Sequence, residues 1–152
     1  MTKRLKAVMP HYHSEYGGSM AWTAILFATV LVPLMIFVID GSRMLRIRSR
    51  LQTAVDAACE DAAWSAADIE HYRETGETRF RDNWYMWSIA HTTFQNVLND
   101  QGVSQYYPAL RVFPDLNQLL VACDTQATVP LIIGGGTAYI EASSVSQIRF
   151  SR

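Results

Sequence analysis

Hydrophobic and polar positions change their period along the chain. From Met20 to Ile39 the sequence reads MAWTAILFATVLVPLMIFVI, twenty residues without a charge or an amide side chain. At a rise of about 1.5 Å per residue, a helix of this length crosses the roughly 30 Å hydrocarbon core of a bilayer. Beyond Asp40 the pattern becomes amphipathic. Leu51, Ala54 or Val55, Ala58, Ala62 and Ile69 recur at helical steps, predicting a helix over residues 41–72 with Arg50 and Asp56 off its apolar face. After a turn at residues 74–77, Phe80, Trp84, Trp87, His91, Phe94 and Leu98 form a second helical stripe, which residues 99–102 stop. The period then falls to two. Leu119, Val121, Cys123, Thr125, Ala127, Val129 and Leu131 form one face of a long strand, preceded by a short strand over 110–113 and followed by a final one over 137–150. Three successive strands with turns between them predict an antiparallel meander. The expected class is α+β: a long N-terminal transmembrane helix continuing into an amphipathic helix, a further helix, and a small C-terminal antiparallel sheet.

Local chemistry refines the apolar run. Gly17-Gly18 reads as a breaker before it and Ser19 as a helix N-cap, while Trp22 suits the headgroup level. Pro33 has no N–H to donate to the carbonyl of Thr29, which predicts a kink or a loosened turn. Asp40 either ends the span as an interfacial charge or pairs with Arg43. Lys3, Arg4 and Lys6 before the run, and Arg43, Arg46, Arg48 and Arg50 after it, argue against a buried helix of a soluble protein. The length of the run, and the lack of an A-x-A site before the following charges, favour a retained anchor over a cleaved signal peptide. The same charges lie on both sides and leave the orientation open.

With 152 residues, about 110 remain outside the membrane for one small folded domain. A formal charge of −1 gives no basic surface for nucleic acid. Cys59 and Cys123 are too far apart for a CxxC or zinc motif. The first falls on the predicted helix and the second on the apolar strand face, so a bond between them would staple helix to sheet. For a loop of that length the chain-entropy model assigns roughly 4 kcal/mol, less any strain. The other reading is two buried thiols. His11-Tyr12-His13 lacks a carboxylate or cysteine partner nearby and reads as a solvated tail. His91 has no nucleophile or orienting acid in a recognisable motif and reads as a core or interface residue. Gly134-Gly135-Gly136 reads as a hairpin turn, since no GxxxxGK[ST] follows. The residues therefore point to no catalytic, cofactor-binding or metal-binding site and to no small-molecule substrate. The small-residue stripe Leu51, Ala54, Val55, Ala58 and Ala62, with Asp56 beside it, suits either lateral packing between subunits or packing on the chain's own domain.

Three segments together carry a resemblance: Gly18-Ser19-Met20-Ala21 before the apolar run with Pro33, Ile39-Asp40-Gly41-Ser42-Arg43 after it, and LQTAVDAA at 51–58. Over roughly residues 17–67 the chain resembles the TadE/TadG-like family, pilin-like proteins of tight-adherence (Flp-type) pilus systems. The resemblance implies a short cytoplasmic segment (1–18), a transmembrane helix (19–40), an amphipathic helix extending from the membrane (41–72) and an extracytoplasmic helix with an antiparallel sheet (73–152). It also implies an inner-membrane location, no enzymatic activity, and other pilin-like subunits and the assembly platform as partners. A prepilin-peptidase cut carried over from the family would fall between Gly18 and Ser19. Thr23 stands where the family places a glutamate, which favours an uncleaved style. The reading from another class is a signal-anchored extracytoplasmic binding or adhesion domain outside any pilus.

Overall fold

The computed structural model describes residues 15–132 and 135–148, in two compact units, Met1–Val38 and Ile39–Arg152. The Lys3, Arg4, Lys6 and His11–His13 positions lie outside the described residues.

In the first unit, helix α1 spans Glu15–Leu26 and a five-residue π-helical stretch follows over Phe27–Leu31. Helix α2, Val32–Ala66, begins directly after it and carries Pro33 in its first turn. The π stretch contains Thr29, the residue whose carbonyl Pro33 cannot serve. Shifting the hydrogen bonding there to a wider ring is the expected loosening in a specific form. The Thr29 hydroxyl donates back to the Ile25 carbonyl at 2.8 Å. The glycine pair does not break the chain as expected, because α1 runs through both glycines. Once a helix is nucleated, each added residue gains a backbone bond. A glycine penalty of about 1 kcal/mol is outweighed in such a run. Side chains from Gly18 to Val38 are exposed, with Ile36 alone half-buried.

In the second unit, α2 continues without a break at Gly41-Ser42 and ends at Ala66, six residues short of the expected Tyr72. Ala67 forms an isolated antiparallel bridge with Phe80, and Asp68 caps the short helix α3, Ile69–Thr75, which Gly76 closes at φ 76°. The Asp68 carboxylate accepts from the His71 N–H at 3.1 Å and pairs with Arg79 at 2.9 Å and Arg81 at 3.6 Å. This knot stops α2, and it leaves Ile69 exposed rather than on the buried stripe. Helix α4, Asn83–Asp100, starts at Asp82, whose side chain accepts from the Trp84 N–H. Phe80 therefore lies before the helix.

A single 3-10 turn, Ser104–Tyr106, leads to the sheet β1 (Ala109–Asp115), β2 (Leu120–Pro130) and β3 (Thr137–Gln147), paired antiparallel in the order β1-β2-β3. The expected meander is present. The long strand buries Val121, Cys123, Thr125, Ala127 and Val129, the face that the alternation assigned. Thr125 is satisfied there by donating to the Ala109 carbonyl at 2.8 Å. Arg111 and Asp124 face each other across β1 and β2 on the opposite, exposed side and form a two-point ion pair. One core joins the strand face to Ile47, Leu51, Ala54, Val55, Ala58, Cys59, Ala62, Ala63 and Ala66 of α2, and to Met86, Ala90, Phe94 and Leu98 of α4. The face of α4 is thus turned from the expected stripe. Phe94 and Leu98 are buried, but Trp84 is 71% exposed and Trp87 49%.

Candidate functional site

The residues just past the apolar run on α2 fasten the sheet. Asp40 is buried, and its carboxylate accepts from the Ile132 N–H at 3.2 and 3.4 Å. Arg43 donates to the Tyr106 hydroxyl at 3.1 Å and to the Pro130 carbonyl at 3.4 Å, and its guanidinium lies 5.9 Å from the Tyr106 ring centre. The expected choice between an interfacial charge and an Asp40–Arg43 pair is resolved otherwise. The acid takes the turn after β2 and the base takes the end of β2. Neither Tyr106 nor Ile132 carried a sequence signal for this clamp, because both contacts span more than sixty positions.

The stripe proposed for helix packing is fully buried at Leu51, Ala54, Val55, Ala58 and Ala62, in the chain's own core. Asp56 lies outside it, exposed, and accepts from Gln52 at 2.9 Å. The same Gln52 amide donates to the Ser143 carbonyl of β3 at 2.8 Å. Of the two readings left open by the sequence, the structure uses these small residues for packing on the domain. None of the side chains from Met20 to Ile39 is buried.

Cys59 of α2 and Cys123 of β2 meet inside this core as two free, buried thiols. The Cys59 thiol donates to the Val121 carbonyl at 3.1 Å and to the Ser144 carbonyl at 3.6 Å, and the neighbouring Cys123 lowers its pKa. The neighbouring Cys59 and burial push the Cys123 thiol well above its ordinary range.

Gly18 and Ser19 lie within α1, and Thr23 donates to the Ser19 carbonyl at 2.7 Å, so its hydroxyl is satisfied within its own helix. His91 lies half-buried on α4 with its ring 4.0 Å from that of Trp87. Burial pushes its pKa down, and its Nε2 is buried without a hydrogen-bond partner among the described residues. Gly134 lies outside the described residues; beside it, Gly135 adopts φ 61°, and the Gly136 carbonyl accepts from the Leu131 N–H, as a hairpin turn requires. Among the described residues no group of three His, Cys, Asp or Glu side chains is placed to hold a metal ion.

Among the described residues one helical span, Gly18–Ala66, has a window long and apolar enough to cross a membrane, and none of that window is buried within the chain. It is a candidate membrane anchor. Residues 18–68 match the family model described as putative Flp pilus-assembly TadE/G-like, a match that covers less than half of the chain. No curated protein and no solved structure matches the chain.

Proposed function

We propose that this chain is a non-enzymatic, pilin-like minor subunit or assembly factor of a Tad/Flp-type pilus. Residues 20–39 anchor it in the inner membrane, with residues 41–152 outside the cytoplasm. One observation carries the reading. The family match over residues 18–68 coincides with a helical span that is exposed and apolar before Asp40 and buried along one face after Ile47. The buried face belongs to the chain's own domain. Contacts with other pilin-like subunits and with the assembly platform therefore fall to the apolar run.

Position 23 favours an assembly role over bulk filament subunit. A threonine bonded to its own helix has no carboxylate to offer a neighbour's terminal amine. The chain accordingly remains uncleaved between Gly18 and Ser19 and resides in the membrane. The intact mass of the membrane-extracted protein tests this, and a species beginning at Ser19 overturns it. For the function itself, deleting the gene lowers the number of surface pili counted by electron microscopy, and the full chain restores them. Unchanged pilus number rejects the proposal. A signal-anchored adhesion domain acting outside any pilus draws on the exposed Trp84, Tyr85 and Trp87 of α4. It predicts lost adhesion with a normal pilus count.

A further inference from the structure

Arg43, Arg46 and Arg50 recur three and four residues apart on α2 and line one cleft of about 390 Å³ beside Gln105 and Tyr106. The volume lies within the range of small-ligand sites. No Asp or Glu lines this cleft. Arg43 is held by the Tyr106 hydroxyl and the Pro130 carbonyl, and Arg50 donates to the Gln101 carbonyl at 2.7 Å. Neutral acceptors orient both guanidiniums without cancelling their charge. Arg46 is exposed and forms no hydrogen bond or ion pair among the described residues. Three guanidiniums that share a cleft without a carboxylate repel one another until an anion joins them. Their planar forks suit the oxygens of a phosphate.

Arg48, between them in sequence, makes the contrast. It lines a different cleft together with Arg111, Asp124 and Glu141, so carboxylates are already present beside it. The segregation is therefore between an acid-free arginine cleft and a mixed one.

The position along the helix selects the source of the phosphate. Arg43 follows Ile39 by about 6 Å of helix, within a headgroup layer roughly 5–7.5 Å deep. Arg46 follows by about 10 Å, close enough for its long side chain to reach back into that layer. Arg50, farther along, can extend its long side chain back toward that layer. We infer that the cleft lined by Arg43, Arg46 and Arg50 binds the phosphate of an anionic phospholipid, with Arg46 as its free two-point donor. The choice of a lipid rests on the membrane-anchor reading of residues 20–39; the choice of a phosphate rests on the cleft alone.

Full-length protein in neutral-detergent micelles removes the general surface potential of an anionic membrane. Short-chain phosphatidylglycerol, the matching phosphatidylcholine and inorganic phosphate are titrated separately and read by native mass spectrometry. Phosphatidylglycerol is expected to bind saturably at one per chain, at least about tenfold tighter than the other two. Arg46→Gln and Arg50→Gln each weaken it by about tenfold, the scale of one charge-assisted two-point contact. Arg48→Gln, which removes the same charge from the same stretch of helix, leaves it unchanged. Equal losses for Arg46→Gln and Arg48→Gln overturn the site, as does equal binding of phosphatidylcholine. Inorganic phosphate binding as tightly as phosphatidylglycerol overturns the lipid. Pilus counts and membrane fractionation report on the proposed function separately, so its failure is distinguishable from failure of the cleft.

Discussion

Residues 20–39 and 47–66 are both helical, yet they answer to different surroundings. The first stretch is apolar on every side: Met20 is 75% exposed and Phe37 77%. The second is apolar on one side only, and there it is sealed, with Leu51, Ala54, Val55, Ala58 and Ala62 inaccessible. A helix satisfies its backbone internally, so the first stretch needs only an apolar medium. The second needs a shaped partner, and β2 and α4 provide one within the same core. Small residues let helices approach closely inside membranes. Here, however, the alanine-rich face lies after the charged boundary and serves a helix-to-sheet contact. A small-residue stripe in a sequence therefore does not identify a subunit interface until the domain's own core has been accounted for.

The sharpest way to break this contrast is to place the same charge in each stretch. Ala58→Asp buries an unpaired carboxylate and should cost up to about 5 kcal/mol, enough to unfold a marginal domain. Its signature is lost protection of the domain from protease, with the protein still retained in the membrane fraction. Oxidation comes next. A Cys59–Cys123 bond would close a loop of 64 positions and stabilise the domain by roughly 4 kcal/mol, less strain. The expected result is a linked pair of tryptic fragments under non-reducing conditions and a denaturation midpoint lowered by reductant. Two alkylatable thiols in the native protein reject the bond. Cys123 resists ionisation and lowers the pKa of the neighbouring Cys59, so Cys59 supplies the attacking thiolate. Leu34→Asp is the reciprocal of the first variant, at about 3 kcal/mol against membrane insertion. It should move protein into the soluble fraction while leaving the domain's denaturation midpoint where it was. If Leu34→Asp unfolds the domain, or Ala58→Asp releases it from the membrane, the division of labour between the stretches is wrong.

Much of this division was legible in the residues. An uninterrupted apolar run needs no partner to be recognised, and the alternation of β2 survived because a strand face is fixed by parity. The helices of the domain were harder to read. Residues 41–72 have helical composition throughout, but Asp68 engages both the His71 N–H and the Arg79 guanidinium and divides them. That knot depends on an arginine eleven positions away. In α4 the error was one of weight. Trp84 and Trp87 give a stronger hydrophobic signal than Met86 and Ala90, yet the latter pair are the fully buried ones. The row Met86, Ala90, Phe94 and Leu98 advances by four at each step and shares its last two members with the predicted stripe. Periodicity alone could not choose between faces about 60° apart. The Asp40 and Arg43 clamp was invisible for a different reason: its partners belong to the sheet.

The turned face of α4 leaves His91 at the margin of the core, and this gives the smallest of the effects. Burial lowers its pKa from the ordinary 6.5. The unfolded chain therefore binds a proton more readily than the folded one as pH falls below that value. Stability from the neutral ring is complete above about pH 6.5 and is lost as pH falls toward the lower folded pKa. Protonation would also place a charged N–H at Nε2, an atom that is buried without a partner among the described residues. Urea midpoints of the full chain in neutral detergent, taken at pH 7.5 and pH 5.5, should show a drop that His91→Phe reduces. Asp68 does not interfere in this window: its pKa is lowered from 3.8 by the His71 N–H and then by Arg79, so its contribution fades only in stronger acid. An unchanged drop in the His91→Phe variant would place the sensitivity elsewhere. A drop abolished by it would mark the Trp87–His91 edge of α4 as the pH-responsive part of a domain whose alanine face is indifferent to protons.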